Sequence, residues 1–266
     1  GLVGAGIAHS GSPALHGWFL RQTGRTGSYV LLPAPFGWAA DHWLAAVRGK
    51  RLDGVNVTTP HKTLAARCCR AAEPAVNTVY RDRGELRACN TDGPGLLDAL
   101  DRPLHGMRVL ILGSGGAALA CLPSVSSSGA RALVCGRNAE ATRSVAAATQ
   151  ARPLAWESTA DLGDVDLVVH LTRFGHGACG PFRGLGAMDW LPWPTWQRRG
   201  TVVVDGVYSH AGPTWFEQVA HGAGANVEVG FGLKMLAAQA ARSFERFAGC
   251  RPDWRAALAA TSCTSA

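Results

Sequence analysis

Lysine is nearly missing from this chain of 266 residues: Lys50, Lys62 and Lys234 stand alone among 26 basic residues. Long apolar runs are missing too. None approaches the roughly 20 residues that cross a bilayer, and the opening GLVGAGIA is short and lacks a basic leader, so neither a membrane span nor export is expected. Runs of basic residues interleaved with aromatics are also missing. The formal charge of +7 therefore points to anionic small molecules rather than to nucleic acid. The eight cysteines form no C-x-x-C pair and no regular spacing, which excludes a disulfide scaffold and suggests reduced thiols in a cytoplasm. Cys68 and Cys69 are expected on a helix with one of the two buried. No H-E-x-x-H or Cys/His spacing marks a metal site, and the gap in HLTRFGH (170–176) is uninformative.

What is present suffices for a globular protein. At 47% hydrophobic, the chain can bury a core in one large domain or two modest ones. After residue 100, short apolar runs alternate with longer amphipathic ones, the pattern of β-α-β units and a parallel sheet. The stretches 107–113 (MRVLILG), 131–136 (RALVCG), 165–171 (VDLVVHL), 201–208 (TVVVDGVY) and 226–230 (NVEVG) read as its strands. Before residue 100, GSYVLLPA and LDGVNVTT read as strands, and 12–24 as a helix capped by Ser12 with Pro13 in its first turn. A long helix is expected over 233–249. The expected architecture is α/β. Two domains are expected, an N-terminal one of residues 1–97 completed by 232–266, and a doubly wound one of 98–231.

LILGSGGAALA sets Gly113, Gly115 and Ala118 in G-x-G-x-x-G/A order directly after a strand. The first glycine permits a tight turn, the second lets backbone amides approach a pyrophosphate, and the small third residue lets helix and strand pack closely. Alone the motif is weak; its β-α-β context gives it force. Cofactor-binding positions are then Gly113, Ser114, Gly115, Gly116 and Ala117. After the second strand comes Arg137, with no acid before Glu140. An arginine there favours a 2′-phosphate, hence NADP over NAD, although a surface arginine would look the same. Pro123 falls where the following helix should run, so that helix is expected to be short or bent.

The few lysines direct attention to DGVNVTTPHK, residues Asp53 to Lys62. Arginine does not give up its proton in a protein, whereas lysine can serve proton chemistry. Four segments, AHSGSPALH, NVTTPHK, AVNTV and CNTDGPG, place small polar side chains beside turns, where they can converge on a polyhydroxylated ligand. Asp92 could orient a lysine, cap a helix, or do both.

These segments resemble the shikimate dehydrogenase family. The family's H-S-x-S-P, N-V-T-x-P-x-K, A-V-N-T, N-T-D-G-x-G, G-x-G-G-A, aspartate-x-x-tyrosine and G-x-x-M-L-x-x-Q motifs occur in order between Val3 and about Gly249. The resemblance implies an NADP-dependent oxidoreductase of the shikimate pathway, which leads to chorismate and the aromatic amino acids. It would reversibly reduce 3-dehydroshikimate to shikimate. Carried over by motif, Lys62 and Asp92 are the catalytic pair and also touch substrate. Ser10 and Ser12 would hold the carboxylate with Tyr208 nearby, and Asn56, Thr58, Asn77, Asp92 and Gln239 the ring hydroxyls, while Thr172, on a loop near the nicotinamide side, and Gly230 would bind the cofactor. The resemblance likewise makes residues 1–97 with 232–266 the substrate domain, separated by a cleft from the nucleotide-binding domain of 98–231.

The match departs in three places. His170 stands where the family usually has asparagine, Glu73-Pro74 replaces an apolar-glycine pair, and Ser209-His210 replaces Asn-Pro. A relative acting on quinate or an amino-substituted shikimate stays open, as does a metabolite-binding regulator of the same fold. Monomer and homodimer are both compatible with the sequence.

Overall fold

The computed structural model of the chain describes residues 1–38, 40–156, 162–172 and 188–262. The chain divides into two compact units, Gly1–Ala99 with Lys234–Ala266, and Leu100–Leu233.

The first unit contains β1 (Leu2–Gly4), α1 (Ser12–Gln22), β2 (Leu31–Pro33), α2 (Asp41–Arg48), β3 (Gly54–Val57), α3 (Lys62–Cys68), β4 (Thr78–Asp82), β5 (Glu85–Cys89) and α4 (Asp92–Leu100). Its sheet runs β2-β1-β3-β4-β5, with β1 parallel to both neighbours and the β3–β4 and β4–β5 pairs antiparallel. All four residues of β3 are buried, because Val55 and Val57 face a core shared with Val3, Val79 and the Trp43, Leu44 and Val47 face of α2. Each such side chain contributes about 1.5–3 kcal/mol of burial. At the sheet edge, β5 turns Glu85 and Arg87 to solvent, which discourages further strand pairing.

The second unit contains β6 (Arg108–Leu112), α5 (Gly116–Ser127), β7 (Arg131–Cys135), α6 (Ala139–Thr149), β8 (Arg152–Leu154), β9 (Leu167–His170), α7 (Trp193–Arg199), β10 (Val202–Asp205), α8 (Trp215–Gly222) and β11 (Asn226–Glu228). The chain ends with α9 (Phe231–Ala248) and α10 (Trp254–Ser262). The second sheet is six-stranded and parallel throughout, in the order β11-β10-β9-β6-β7-β8. Numbered within the sheet, this is 3-2-1-4-5-6 read backwards, the doubly wound dinucleotide-binding order. The strand order reverses between β6 and β9, and ligands of such sheets bind at that switch point. The expected α/β class with a doubly wound sheet is what the structure contains.

Several local expectations are corrected. Ser12 is not the cap of α1: it is the first helical residue, its amide donates to Ser10 Oγ at 3.2 Å, and the preceding Gly11 has no side chain to cap the turn. Pro123 does not shorten α5, which runs for 12 residues with the proline inside it. The fully buried Cys121, Leu122 and Val125 hold that part of the helix against the sheet, offsetting the lost amide donor. Neither member of the cysteine pair is buried: Cys68 is exposed and Cys69 half-buried at the end of α3. The three-residue β8 was not expected, since it contains Pro153, which a sheet tolerates at its edge.

Helices α4 and α9 pack within the first unit at unusually close range. A Cβ on Gly95 would lie 2.6 Å from Gln239 Cβ and 2.7 Å from its backbone nitrogen, so only glycine fits there. Asp98 then accepts Arg242 through Nε at 2.6 Å and Nη2 at 2.8 Å, and is also paired with Arg251.

An aromatic cluster holds α1 in place. The His16 ring stacks on Tyr29 at 4.0 Å and approaches Phe19, Phe244 and Phe247. Its Nε2 has no hydrogen-bond partner, and burial pushes the imidazole down to about 3. Because the folded value lies below the ordinary 6.5, the unfolded chain takes up this proton first as the solution is acidified. Stability from this site is complete above about pH 6.5 and is lost as pH falls towards the folded value. His16→Phe keeps the packing and removes the proton uptake, so urea unfolding at about pH 7 and pH 5 should show a smaller acid loss in the variant. An equal loss in both proteins would place the acid sensitivity elsewhere.

Candidate active site

The buried run of β3 delivers Asn56 and then Thr58 to the end of the sheet, where the chain turns through a cis Thr59-Pro60 peptide into α3. His61 precedes the helix, and its Nε2 lies 2.8 Å from the Ala34 carbonyl, which makes it a structural anchor turned away from Lys62. Lys62 is the first residue of α3 and Asp92 the first of α4. Their side chains are 15% and 12% exposed, and Lys62 Nζ donates to Asp92 Oδ2. The Asx turn that starts α4 is made by Asn90, whose Oδ1 accepts the Asp92 amide at 2.8 Å. Asp92 is thereby left with its carboxylate for the ammonium.

Asn77 secures the other carboxylate oxygen, donating to Asp92 Oδ1 at 2.8 Å. Its amide nitrogen also lies 2.9 Å from Thr91 Oγ1 and 3.2 Å from Gln239 Oε1, while its Oδ1 accepts the Thr91 amide at 2.8 Å and the Thr78 hydroxyl at 2.9 Å. Asn56 Nδ2 donates to the Asn77 carbonyl at 3.2 Å and to Thr78 Oγ1 at 3.1 Å. Its Oδ1 accepts the Tyr29 phenol at 2.8 Å and the Ser243 hydroxyl at 3.3 Å. The phenol also bonds Ser12, and burial pushes its pKa up, which keeps it a donor at neutral pH. Ser10 and Ser12 join hydroxyl to hydroxyl at 3.1 Å.

One hydrogen-bonded chain therefore links Ser10, Ser12, Tyr29, Asn56, Asn77, Asp92 and Lys62, with Gln239 attached through Asn77. Thr58 lies half-buried two residues past Asn56. Tyr208 belongs to the second unit, where its ring meets His210 edge-on. The linking residues Tyr29, Thr78, Thr91 and Ser243 were missed as site residues. Thr78 and Thr91 sit inside quoted motifs and could have been found. Tyr29 lies in a stretch read only as a strand, and Ser243 on the helix face that α9 buries.

In the second unit, β6 ends at the glycine-rich turn. Gly113 has φ +127, and a Cβ there would lie 2.8 Å from the Leu171 carbonyl oxygen and 3.2 Å from the Thr172 nitrogen. The turn is thus pressed against the segment leaving β9, at the switch point of the sheet. Among the described residues, a Cβ at Gly115 or Gly116 would meet nothing within 4 Å, and no side chain caps the first turn of α5. Uncapped amides facing open space suit a pyrophosphate. Ser114 packs beside Gly136, Ala117 is half-buried, and Ala118 is fully buried at the close contact of helix and strand. Arg137 is exposed just before Asn138, which caps α6 through the Ala141 amide at 2.9 Å. Thr172 Oγ1 bonds His170 Nε2, and the Gly230 amide donates to Glu217 Oε1 at 2.7 Å. Residues 173–187, including 173–176 of HLTRFGH, lie outside the described residues. No group of three or more His, Cys, Asp or Glu able to hold a metal occurs among the described residues.

Comparison with known proteins adds an independent line. Residues 2–80 match the family model described as the shikimate dehydrogenase substrate binding domain. A protein of Exiguobacterium sibiricum named shikimate dehydrogenase (NADP(+)) is 31% identical over 258 residues, spanning 95% of this chain and 93% of its own. One of the same name from Cupriavidus necator is 36% identical over 285 residues, spanning 97% and 91%. The solved structure of shikimate 5-dehydrogenase from Thermus thermophilus, in complex with NADP(H) and shikimate, is 32% identical with a TM-score of 0.80, covering 96% of this chain and 95% of that one. With such identity sustained over nearly the full length of both partners, this chain belongs to the shikimate dehydrogenase family.

Proposed function

We propose that this protein catalyses the reversible NADPH-dependent reduction of 3-dehydroshikimate to shikimate. The observation that carries the reading is the largely buried Lys62–Asp92 pair, held by Asn77 within a chain of hydroxyls and amides. Family membership supports it, as do the names of the relatives. When bound, NADPH supplies the hydride that reaches the substrate carbonyl carbon.

This chain's residues do the rest. Reduction places negative charge on the carbonyl oxygen, and the Lys62 ammonium stabilises that charge and donates the proton that completes the hydroxyl. Asp92 takes one ammonium hydrogen and so orients the others. Ser10 and Ser12 bind the substrate carboxylate with Tyr208 nearby, while Asn56, Thr58, Asn77 and Gln239 fix the ring hydroxyls. In the second unit, Gly113, Ser114, Gly115, Gly116 and Ala117 take the pyrophosphate and Arg137 the 2′-phosphate. Thr172, on the loop near the nicotinamide side, and Gly230 complete the cofactor site. A cytoplasmic location is part of the reading, in keeping with the free thiols of Cys68, Cys69, Cys89, Cys121, Cys135 and Cys250. No helix of the described residues is long and apolar enough to cross a membrane.

The deciding experiment follows reduced-nicotinamide absorbance with shikimate or quinate, each with NADP or NAD. Turnover of shikimate with NADP is expected. Turnover of quinate alone would transfer the reading to a relative with another substrate, and ligand binding with no hydride transfer would indicate a regulator. Lys62→Ala should lower kcat by about 10²–10⁴ with a smaller change in shikimate KM, because the ammonium matters most as charge develops. An unchanged kcat would remove Lys62 from the chemistry. Arg137→Ala should weaken NADP roughly tenfold or more while leaving NAD nearly unaffected. Equal losses for both cofactors would put the 2′-phosphate contact elsewhere.

A further inference from the structure

His170 ends β9 with its side chain fully buried, in register with Leu112 of β6 on one side and Asp205 of β10 on the other. It therefore stands at the switch point of the parallel sheet. A carboxylate sealed from water needs its lone pairs filled, and Asp205 has three donors. The Val207 amide reaches Oδ1 at 2.9 Å, the Thr214 hydroxyl reaches Oδ2, and His170 Nδ1 reaches Oδ1 at 2.8 Å. Since an ionised carboxylate only accepts, the hydrogen of this last bond sits on Nδ1. The ring is further fixed by stacking on the buried Phe216 at 4.1 Å and 15°. Nε2 is then aimed at the hydroxyl of Thr172.

Thr172 is consequently held from two sides, its backbone against Gly113 and its hydroxyl against His170. The same network continues to Gly230. Thr214 and Glu217 form a reciprocal capping box at the start of α8, and Glu217, 1% exposed, accepts the Gly230 amide. Four buried side chains, His170, Asp205, Thr214 and Glu217, thus join Thr172 to Gly230, both read as cofactor-binding positions.

We propose that His170 is a positioning residue that sets the nicotinamide end of the cofactor by fixing the Thr172 hydroxyl, with Asp205 holding the imidazole. The proposal rests on the functional reading above and names how this chain, with histidine at that position, orients the loop. An asparagine could replace Nδ1 as donor to Asp205 but has no atom where Nε2 meets Thr172.

The test uses His170→Asn, Thr172→Val and the double variant, with dissociation constants for NADP and for adenosine 2′,5′-bisphosphate, which carries the 2′-phosphate and no nicotinamide. Each single variant should bind NADP roughly five- to tenfold more weakly and bind the bisphosphate as the parent does. The double variant should be no weaker than either single one, because both break the same contact. Unchanged NADP binding in His170→Asn, parallel loss of both ligands, or losses that multiply in the double variant would each overturn the proposal. Any of these results, obtained while the parent protein binds both nucleotides, sinks this proposal alone. Parent protein that binds neither nucleotide sinks the functional reading and this proposal with it.

Discussion

A lysine and an aspartate that are mostly removed from water stay charged only if every remaining lone pair and proton finds a partner. Around Lys62 and Asp92 that requirement organises the first unit. Asp92 has one oxygen for the ammonium and gives the other to Asn77, so Asn77 must point inward from the start of β4. An inward asparagine needs its own oxygen filled, and Thr78 and the Thr91 amide fill it. Thr91 stands just before α4, which fixes where that helix begins. Gln239 then has to reach Asn77 from α9, and this is possible only because Gly95 lets the two helices approach. A single substitution at Gly95 would therefore act on the polar site through packing, without touching a polar atom.

The second unit meets a different constraint with similar means. For the proposed cofactor to bind, the backbone of the glycine-rich turn must come close enough to its pyrophosphate to donate to it, which would leave no room for side chains at Gly115 and Gly116. Backbone alone gives such a turn little rigidity. Here the support comes from the neighbouring strand: the Leu171 carbonyl and Thr172 amide press on Gly113, and the buried His170–Asp205 pair holds that segment. Replacing a neutral amide by histidine at position 170 adds a ring that must be stacked and paired. Phe216 and Asp205 supply both, so the departure from the family pattern is matched by its surroundings.

Much of this was legible in the sequence, for identifiable reasons. Buried parallel strands such as RVLIL and RALVC are apolar on both faces, so periodicity and position sufficed to find them. β8 escaped because a three-residue edge strand with a proline carries no periodic signal. The order of Asn, Thr, Lys and Asp motifs located the residues that meet around Lys62. It did not show which atoms each would use. Asn90, not Asp92, makes the Asx turn, and His61 turns to a backbone carbonyl, because both outcomes depend on which acceptor the tertiary fold brings near. Tyr29 is the clearest omission. Its phenol joins Ser12 to Asn56 across 27 residues of sequence from Asn56, and only the packing of His16 against its ring brings it there.

The placement of His16 shows how the polar chain is supported by apolar packing. A phenol that must donate into a buried amide is useful only if its ring cannot rotate away. The stacked imidazole of His16, with Phe19, Phe244 and Phe247 around it, prevents that rotation. Two of those rings, Phe244 and Phe247, come from α9, as do Gln239, which reaches Asn77, and Ser243, which reaches Asn56. One late helix thus supplies both the apolar support and part of the polar network, although the second unit separates it in sequence from the strands it packs on. The first unit is thus closed by a segment far along the chain, and the geometry around Lys62 is complete only when that helix docks.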